Sequence, residues 1–323
     1  MSYENLVPKV EIAHILRERN RRLVFGNNCT REYEGAISKA GDSVTIFVEG
    51  NPTIYVVEKD GVYTANAVDA NGTAMSGNIA GKGKDVVQNG LPDAEDVPLA
   101  EILVQVNKLA FFNVKVGNID QRLASKKNLM GSVRRSIGKN LAIQEDLSIA
   151  RTIFGYKKCE IPTSVYNSGS TVIVSGEAGA GQVNILDLID MVVEQFDWDD
   201  VPDGEKILSE GSPKWWRMLK AAMRKIDTDN SEIIRHRKCP VYNDVAFFKT
   251  NNAKLAVNPA TNATKVEYVS FRTGKAVAFF DPFTHLEPYK KEKGFCDCLK
   301  GFQLFDCAII LEKELKWLKP KWN

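Results

Sequence analysis

IDQRLASKKNLMGSVRRSIGKNLAIQEDLSIARTIF, residues 119–154, contains no proline and no acid between Asp120 and Glu145. On a helical period Ile119, Leu123, Met130, Val133, Ile137 and Leu141 fall on one narrow stripe, which predicts a single long helix from Ile119 to Phe154. At ~1.5 Å per residue that helix would run ~50 Å, longer than a compact domain of this size needs. The chain has no heptad repeat and no apolar run long enough to span a bilayer, so the helix reads as a girder and the protein as a building block. Past Leu141 the stripe shifts by about a quarter-turn through Ile143, Leu147, Ala150 and Phe154, which predicts a bend or burial on a second side. Ala124, Gly131 and Gly138 recur on one side at every seventh residue. Each glycine costs ~0.5–1 kcal/mol relative to alanine in a helix, so close approach of another backbone is expected there. Arg122, Lys126, Lys127, Arg134, Arg135 and Lys139 load the N-terminal two-thirds with positive charge. That polarity opposes the helix dipole, and anionic partners (acidic loops of neighbouring subunits, or phosphates) would offset it.

Upstream, residues 8–25 predict a first amphipathic helix, with Val10, Ala13, Leu16, Leu23 and Val24 on one side. Arg17, Arg19, Arg21 and Arg22 decorate the rest, and Gly26-Asn27-Asn28 terminates it. Between Thr30 and Asn89 the texture turns to β-rich runs (Val44–Val48 and Thr53–Val57 around Gly50-Asn51-Pro52), followed by a glycine-rich stretch over 58–90 that can bury little of itself. It reads either as a surface insertion or as an extended loop ordered by a neighbouring subunit. Residues 99–117 predict strands leading into the long helix, anchored by Phe111, Phe112, Val114 and Val116. Downstream the pattern predicts a strand at 171–174, a helix at 185–196 on Leu186, Ile189, Val193 and Phe196, and a strand at 206–208. A helix after Pro213, strands at 245–248 and 276–280, and a closing strand from Phe302 to Leu311 complete a mixed α+β chain.

At 323 residues, with 44% hydrophobic and 26% charged composition, the chain can build proper cores, which excludes global disorder. A net charge of +2 gives no licence for a dedicated nucleic-acid binder. No signal peptide is visible, and the six cysteines are scattered, which suits free thiols in a reducing cytoplasm.

No catalytic constellation emerges. His14, His236 and His285 have no zinc-site spacing, Cys296-Asp297-Cys298 lacks a partner pair, and no cofactor is implied. Gly176-Glu177-Ala178-Gly179-Ala180-Gly181 resembles a phosphate loop, but Gln182-Val183 stands where a Walker loop needs Lys-Ser/Thr, so it reads as a turn. The acidic run Asp197, Asp199, Asp200, Asp203 and Glu205 has Leu208 where a calcium loop needs its bidentate glutamate. Charge is nonetheless segregated. Val183 to Glu205 holds eight acids and no base, whereas Lys214, Arg217, Lys220, Arg224, Lys225, Arg235, Arg237 and Lys238 follow. Two oppositely charged faces of a monomer would explain this, and so would a head-to-tail contact in a ring of identical subunits.

Leu23-Val24-Phe25-Gly26-Asn27-Asn28-Cys29-Thr30-Arg31-Glu32-Tyr33-Glu34-Gly35, followed by Lys39-Ala40-Gly41-Asp42-Ser43-Val44-Thr45-Ile46, resembles the arm-to-strand passage of the tailed-bacteriophage major capsid (coat) proteins. In that family a helix ends before an R-x-Y-E step and a G-D-x-V strand entry. Gly294-Phe295 through Lys300-Gly301-Phe302-Gln303-Leu304-Phe305-Asp306-Cys307-Ala308 is similar to its closing strands, and the order of elements matches over nearly the whole chain. The resemblance implies an N-terminal arm (1–42), an extended loop (43–105), a peripheral domain with a spine helix (106–165 and 285–323) and an apical domain (166–284). It implies a non-enzymatic coat protein that self-assembles, as hexamers and pentamers, into an icosahedral shell around double-stranded DNA in the host cytoplasm. Because the chain opens directly on the arm, either a separate scaffolding protein is expected or the chain is already a processed form, and the starting Met1 favours the former; a portal is expected as well. Arg17, Arg19, Arg21, Arg22, Arg122, Lys126, Lys127, Arg134, Arg135 and Lys139 become candidate inter-subunit or DNA-facing cations. Asp197, Asp199, Asp200, Asp203 and Glu205 become candidate inter-subunit acids. An encapsulin-like nanocompartment shell and a cytoplasmic enzyme holding a phosphorylated ligand at Gly176–Gly181 are the alternatives.

Overall fold

The central helix of the computed structural model, α2 (Leu129–Gly155), is flanked by α1 (Leu6–Asn20) and by the strands that follow it. The structure describes residues 6–33, 43–48, 100–117, 129–161, 172–202, 204–225, 241–252, 267–290 and 296–320. The expected helical turns over 119–128 and the strand expected at 53–57 lie outside them. The chain divides into two compact units, Met1–Val44 with Gln105–Asn323, and Thr45–Val104. In the second, β1 (Ser43–Val48) and β2 (Ala100–Gln105) form a two-stranded ribbon.

The stripe on α2 buries two faces in succession. Ile137 and Leu141 pack with Ile15 of α1, and with Leu286 and Leu299 of the sheet below. One turn and more further on, Ile149, Ala150, Ile153 and Phe154 enter a second cluster with Phe25, Phe279, Phe305 and Trp317. Phe154 stacks on Tyr268 with ring centroids 5.0 Å apart and meets Trp317 edge-on. The sheet is β3 (Lys108–Gly117), β10 (Cys296–Ile309) and β9 (Val277–Lys290), antiparallel in the order β3-β10-β9. β9 runs well past the expected 276–280, through Pro282 and Pro288. It is an edge strand, where a missing N–H costs no ladder bond on the open side. Phe111, expected to anchor β3, is 79% exposed, because strand alternation turns it away from the face that carries Ala110, Phe112 and Val114.

The remaining elements build another layer. β6 (Ile207–Gly211) pairs in parallel with β7 (Val245–Lys249) and antiparallel with β8 (Val269–Arg272), and β11 (Leu315–Leu318) closes the order β11-β8-β6-β7. Helices α3 (Ile185–Trp198) and α4 (Pro213–Met223) cover this sheet, burying Leu188, Ile189, Val192, Phe196, Trp215 and Leu219. The core position on α3 is Val192, with Val193 only half-buried, one step from the expected stripe. Asn184 caps α3 by accepting from the Leu186 N–H, and Ser212 caps α4 by accepting from the Trp215 N–H. A short parallel pair, β4 (Val172–Val174) with β5 (Gln182–Asn184), brackets the glycine turn. β11 went unread in the sequence: four residues between charges carry little signal, and their partner β8 is remote in the chain. The 284/285 boundary expected between domains falls inside continuous β9, and β11 joins the sheet of the 166–284 segment.

Candidate assembly and nucleic-acid interface

Helix α1 ends at Asn20, short of the expected 25, and the chain turns through Leu23 and Phe25, both buried, into a 3-10 turn at Gly26–Asn28. Charge on other elements holds this turn. Asp146 of α2 accepts from the N–H groups of Val24 (3.0 Å) and Gly26 (3.2 Å) and from the Asn252 amide. Arg272 of β8 donates to the carbonyls of Asn28 (2.9 Å) and Phe25 (3.0 Å) while its guanidinium pairs with Glu210 at 2.7 Å. Thr30 then joins the edge of β9 through two backbone bonds. These buried acids and bases were invisible to periodicity, which sees only apolar spacing.

Arg19 is the first candidate cation whose position departs from a free surface. It is 4% exposed, pairs with Asp281 of β9 at 2.5 Å, and reaches Glu145 of α2 at 3.6 Å. Burial pushes the Glu145 carboxyl up to about 8; Arg19 opposes this, and the charges of Asp281 and Asp146 reinforce it. Asp146 is raised to about 6 by burial, against the N–H groups of Val24 and Gly26 that favour its charged form. The close approach expected at Gly138 is present. A Cβ there would lie 2.8 Å from the Ile15 carbonyl oxygen, so α1 crosses α2 where a side chain would not fit.

Beside that crossing, Arg17 and Arg21 of α1 and its C-terminal turn face Arg134 and Arg135 of α2 across a groove of about 370 Å³, completed by His14, Glu18 and Gly131. Arg22 leans on Glu18 at 3.8 Å. Lys139 is exposed on α2, whereas Arg122, Lys126 and Lys127 lie outside the described residues. The structure therefore brings four of the candidate cations together and turns Arg19 inward.

The acidic candidates do not converge in one subunit. Asp197 is exposed at the end of α3, Asp199 pairs with Lys316, and Asp200 is exposed in left-handed backbone with φ 58°. Glu205 pairs with Lys275, and Asp203 lies outside the described residues. On α4, Arg217 is exposed with Lys214 and Lys220 half-buried. The cleft at the glycine turn is lined by Gly176, Glu177, Asn184, Asp187 and Lys225. Two carboxylates against one ammonium make that cleft a poor cradle for a phosphorylated ligand.

One apolar surface was missed. Leu109 and Phe111 of β3 border a groove of about 360 Å³ against Ile137, Leu141 and Phe305. Phe47 and Leu103 of the β1–β2 ribbon are likewise largely exposed. A β-rich run with aromatics at both alternations was the available signal. No helix among the described residues is long and apolar enough to cross a membrane.

No protein-family model matches this chain, and no curated protein matches it in sequence. Solved structures do. A structure of Mycobacterium phage Che8 aligns with a TM-score of 0.61 at 15% identity, covering 92% of this chain and 90% of that one. The capsid of the cyanophage P-SCSP1u aligns with a TM-score of 0.58 at 12% identity over 93% of this chain and 89% of its own. The mature capsid of bacteriophage PhiM1 aligns with a TM-score of 0.58 at 13% identity over 92% and 86%. This chain has the mixed α+β fold seen in those tailed-phage capsid structures.

Proposed function

We propose that this protein is the major capsid protein of a tailed bacteriophage, a structural subunit that self-assembles into an icosahedral shell enclosing double-stranded DNA. The observation that carries this reading is the agreement of fold with phage capsids over more than nine-tenths of this chain, whose long helix lies on a three-stranded sheet and is followed by a second mixed layer. On this reading residues 1–42 are the arm and 43–105 the extended loop. Residues 106–165 with 285–323 make up most of the peripheral domain and 166–284 most of the apical domain, with β9 crossing the boundary between them and β11 adding a strand to the apical sheet. Exposed Phe111, Leu109, Phe47 and Leu103 suit surfaces that neighbouring subunits cover, since a monomer gains nothing by leaving large apolar groups in water. The exposed acids Asp197 and Asp200, and basic Arg217, suit edges that meet in hexamers and pentamers. A portal completes the assembly, which takes place in the host cytoplasm and ends in the virion.

The test is negative-stain electron microscopy with sedimentation of the full-length protein from a clean cytoplasmic expression, alone and with candidate scaffolds. Closed shells or sheets of uniform curvature are expected in at least one format. A monodisperse small oligomer in every format would sink the reading.

A further inference from the structure

Four guanidinium groups share the groove between α1 and α2, and the geometry that gathers them is specific. Gly138 lets the α1 backbone approach α2 within contact distance, and Ile15 and Arg19 pin the crossing. Arg17 and Arg21, one helical turn apart with the Arg21 N–H bonded to the Arg17 carbonyl at 3.1 Å, then face Arg134 and Arg135. Among the described lining residues the single acid, Glu18, is engaged by Arg22. Guanidinium remains charged at any working pH and its fork of donors matches a phosphate.

We propose that this groove binds the phosphodiester backbone of nucleic acid, holding the polymer by its phosphates without reading its bases. The inference rests on the shell reading and adds the place on the subunit where the enclosed polymer is held. Among the described residues the lining contains no aromatic side chain of the Phe, Tyr or Trp kind on which a base could stack, which favours backbone contact over base recognition. The described lining residues include no apolar side chain either, whereas a docking peptide segment needs apolar anchors for affinity. The chain's net charge of +2 gives no general affinity for polyanions, so binding must come from a local patch such as this one.

The experiment is a fluorescence-anisotropy titration of a short labelled DNA duplex of mixed sequence with the full-length protein over a series of salt concentrations. It compares the unaltered protein, the variant R17Q/R21Q/R134Q/R135Q, and a control variant K157Q/K290Q/K313Q at exposed lysines away from the groove. The groove variant is expected to bind at least about tenfold more weakly at low salt and to flatten the log–log salt dependence by about 3–4, near one unit for each phosphate no longer neutralised. The control is expected to keep the original slope. An unchanged slope in the groove variant, or an equal loss in the control, overturns the proposal. Loss of binding to labelled oligoglutamate with the duplex titration unchanged overturns it in favour of an acidic protein partner. Should the quadruple variant fail to fold, R17Q/R21Q and R134Q/R135Q are each expected to flatten the slope by about half as much. Shell formation by the unaltered protein is scored separately by microscopy. If shells form and the groove variant binds duplex normally, only this inference falls; if shells never form, the shell reading falls first.

Discussion

Arg19 Nη2 stands 2.5 Å from Asp281 Oδ2, with both side chains almost excluded from water, and this pair joins the N-terminal helix to the edge strand β9. Among the described side chains of α1, only Ile15 and Arg19 are buried. Through its described residues the helix is held by the Ile15 contact, the pairings of Arg19 with Asp281 and Glu145, and the backbone contact at Gly138. Truncating one partner of a buried pair leaves the other charge desolvated and uncompensated.

Arg19→Ala should cost about 3–5 kcal/mol, whereas the double variant R19L/D281L should cost clearly less than the sum of its single substitutions. Urea denaturation of unassembled subunits measures both. A loss below about 1 kcal/mol for Arg19→Ala would show that the pair is solvated.

Glu145 and Asp281 compete for the same guanidinium, and Asp281 is closer. The folded Glu145 carboxyl holds its proton up to about 8, against an ordinary value of 4.5. Between those two values the folded state binds more protons than the unfolded chain, so this group makes stability fall as pH rises through that window. Asp146 acts in the same sense between 3.8 and about 6. Glu145→Gln should remove the fall above pH about 6 and leave the part below it that Asp146 contributes. Denaturation midpoints across the pH range for both proteins check the sign, and a midpoint that rises toward pH about 8 in the unaltered protein contradicts it.

Gly138→Val places its branched side chain against the Ile15 carbonyl and should lift α1 from α2. Hydrogen exchange should then accelerate across α1 while the amides of β6, β7 and β8 keep their protection. Gly155→Ala is the matched control. Nothing lies within 4 Å of its added methyl, and it should be neutral or stabilise by about 0.4–1 kcal/mol.

Phe111→Ser removes an aromatic ring that is 79% exposed, so its effect on subunit stability should stay within about 0.5 kcal/mol. Under the shell reading it should nonetheless reduce assembly strongly, since buried aromatics carry much of an interface's affinity. Sedimentation of variant and parent under assembling conditions separates the two effects. Normal shells from Phe111→Ser would remove this strand face from the interface.

The sequence by itself determined the elements whose evidence is local. The stripe through Ile137 and Leu141, its shift toward Leu147 and Phe154, the helix start after Pro213, the turn at Gly176–Gly181, and the core strands at 245–248 and 276–280 all declare themselves within a few residues. Gly138 was legible for the same reason, because a glycine inside a helix costs stability wherever the helix lies. The tertiary structure alone decided what depends on distant partners. A helical wheel puts Arg17 and Arg21 on one face and Arg19 on the face of Ile15, but only the packed structure supplies the partners: Arg19 enters a pocket made by Glu145 and Asp281, while Arg17 and Arg21 face a groove completed by Arg134 and Arg135. The end of α1 at Asn20, the burial of Arg272 against Glu210, and the short strand β11 were equally out of reach. Local sequence states the spacing of apolar groups and the propensity of the backbone. Which charges are taken out of water is set by residues far apart in the chain that come together only when the sheets and helices pack.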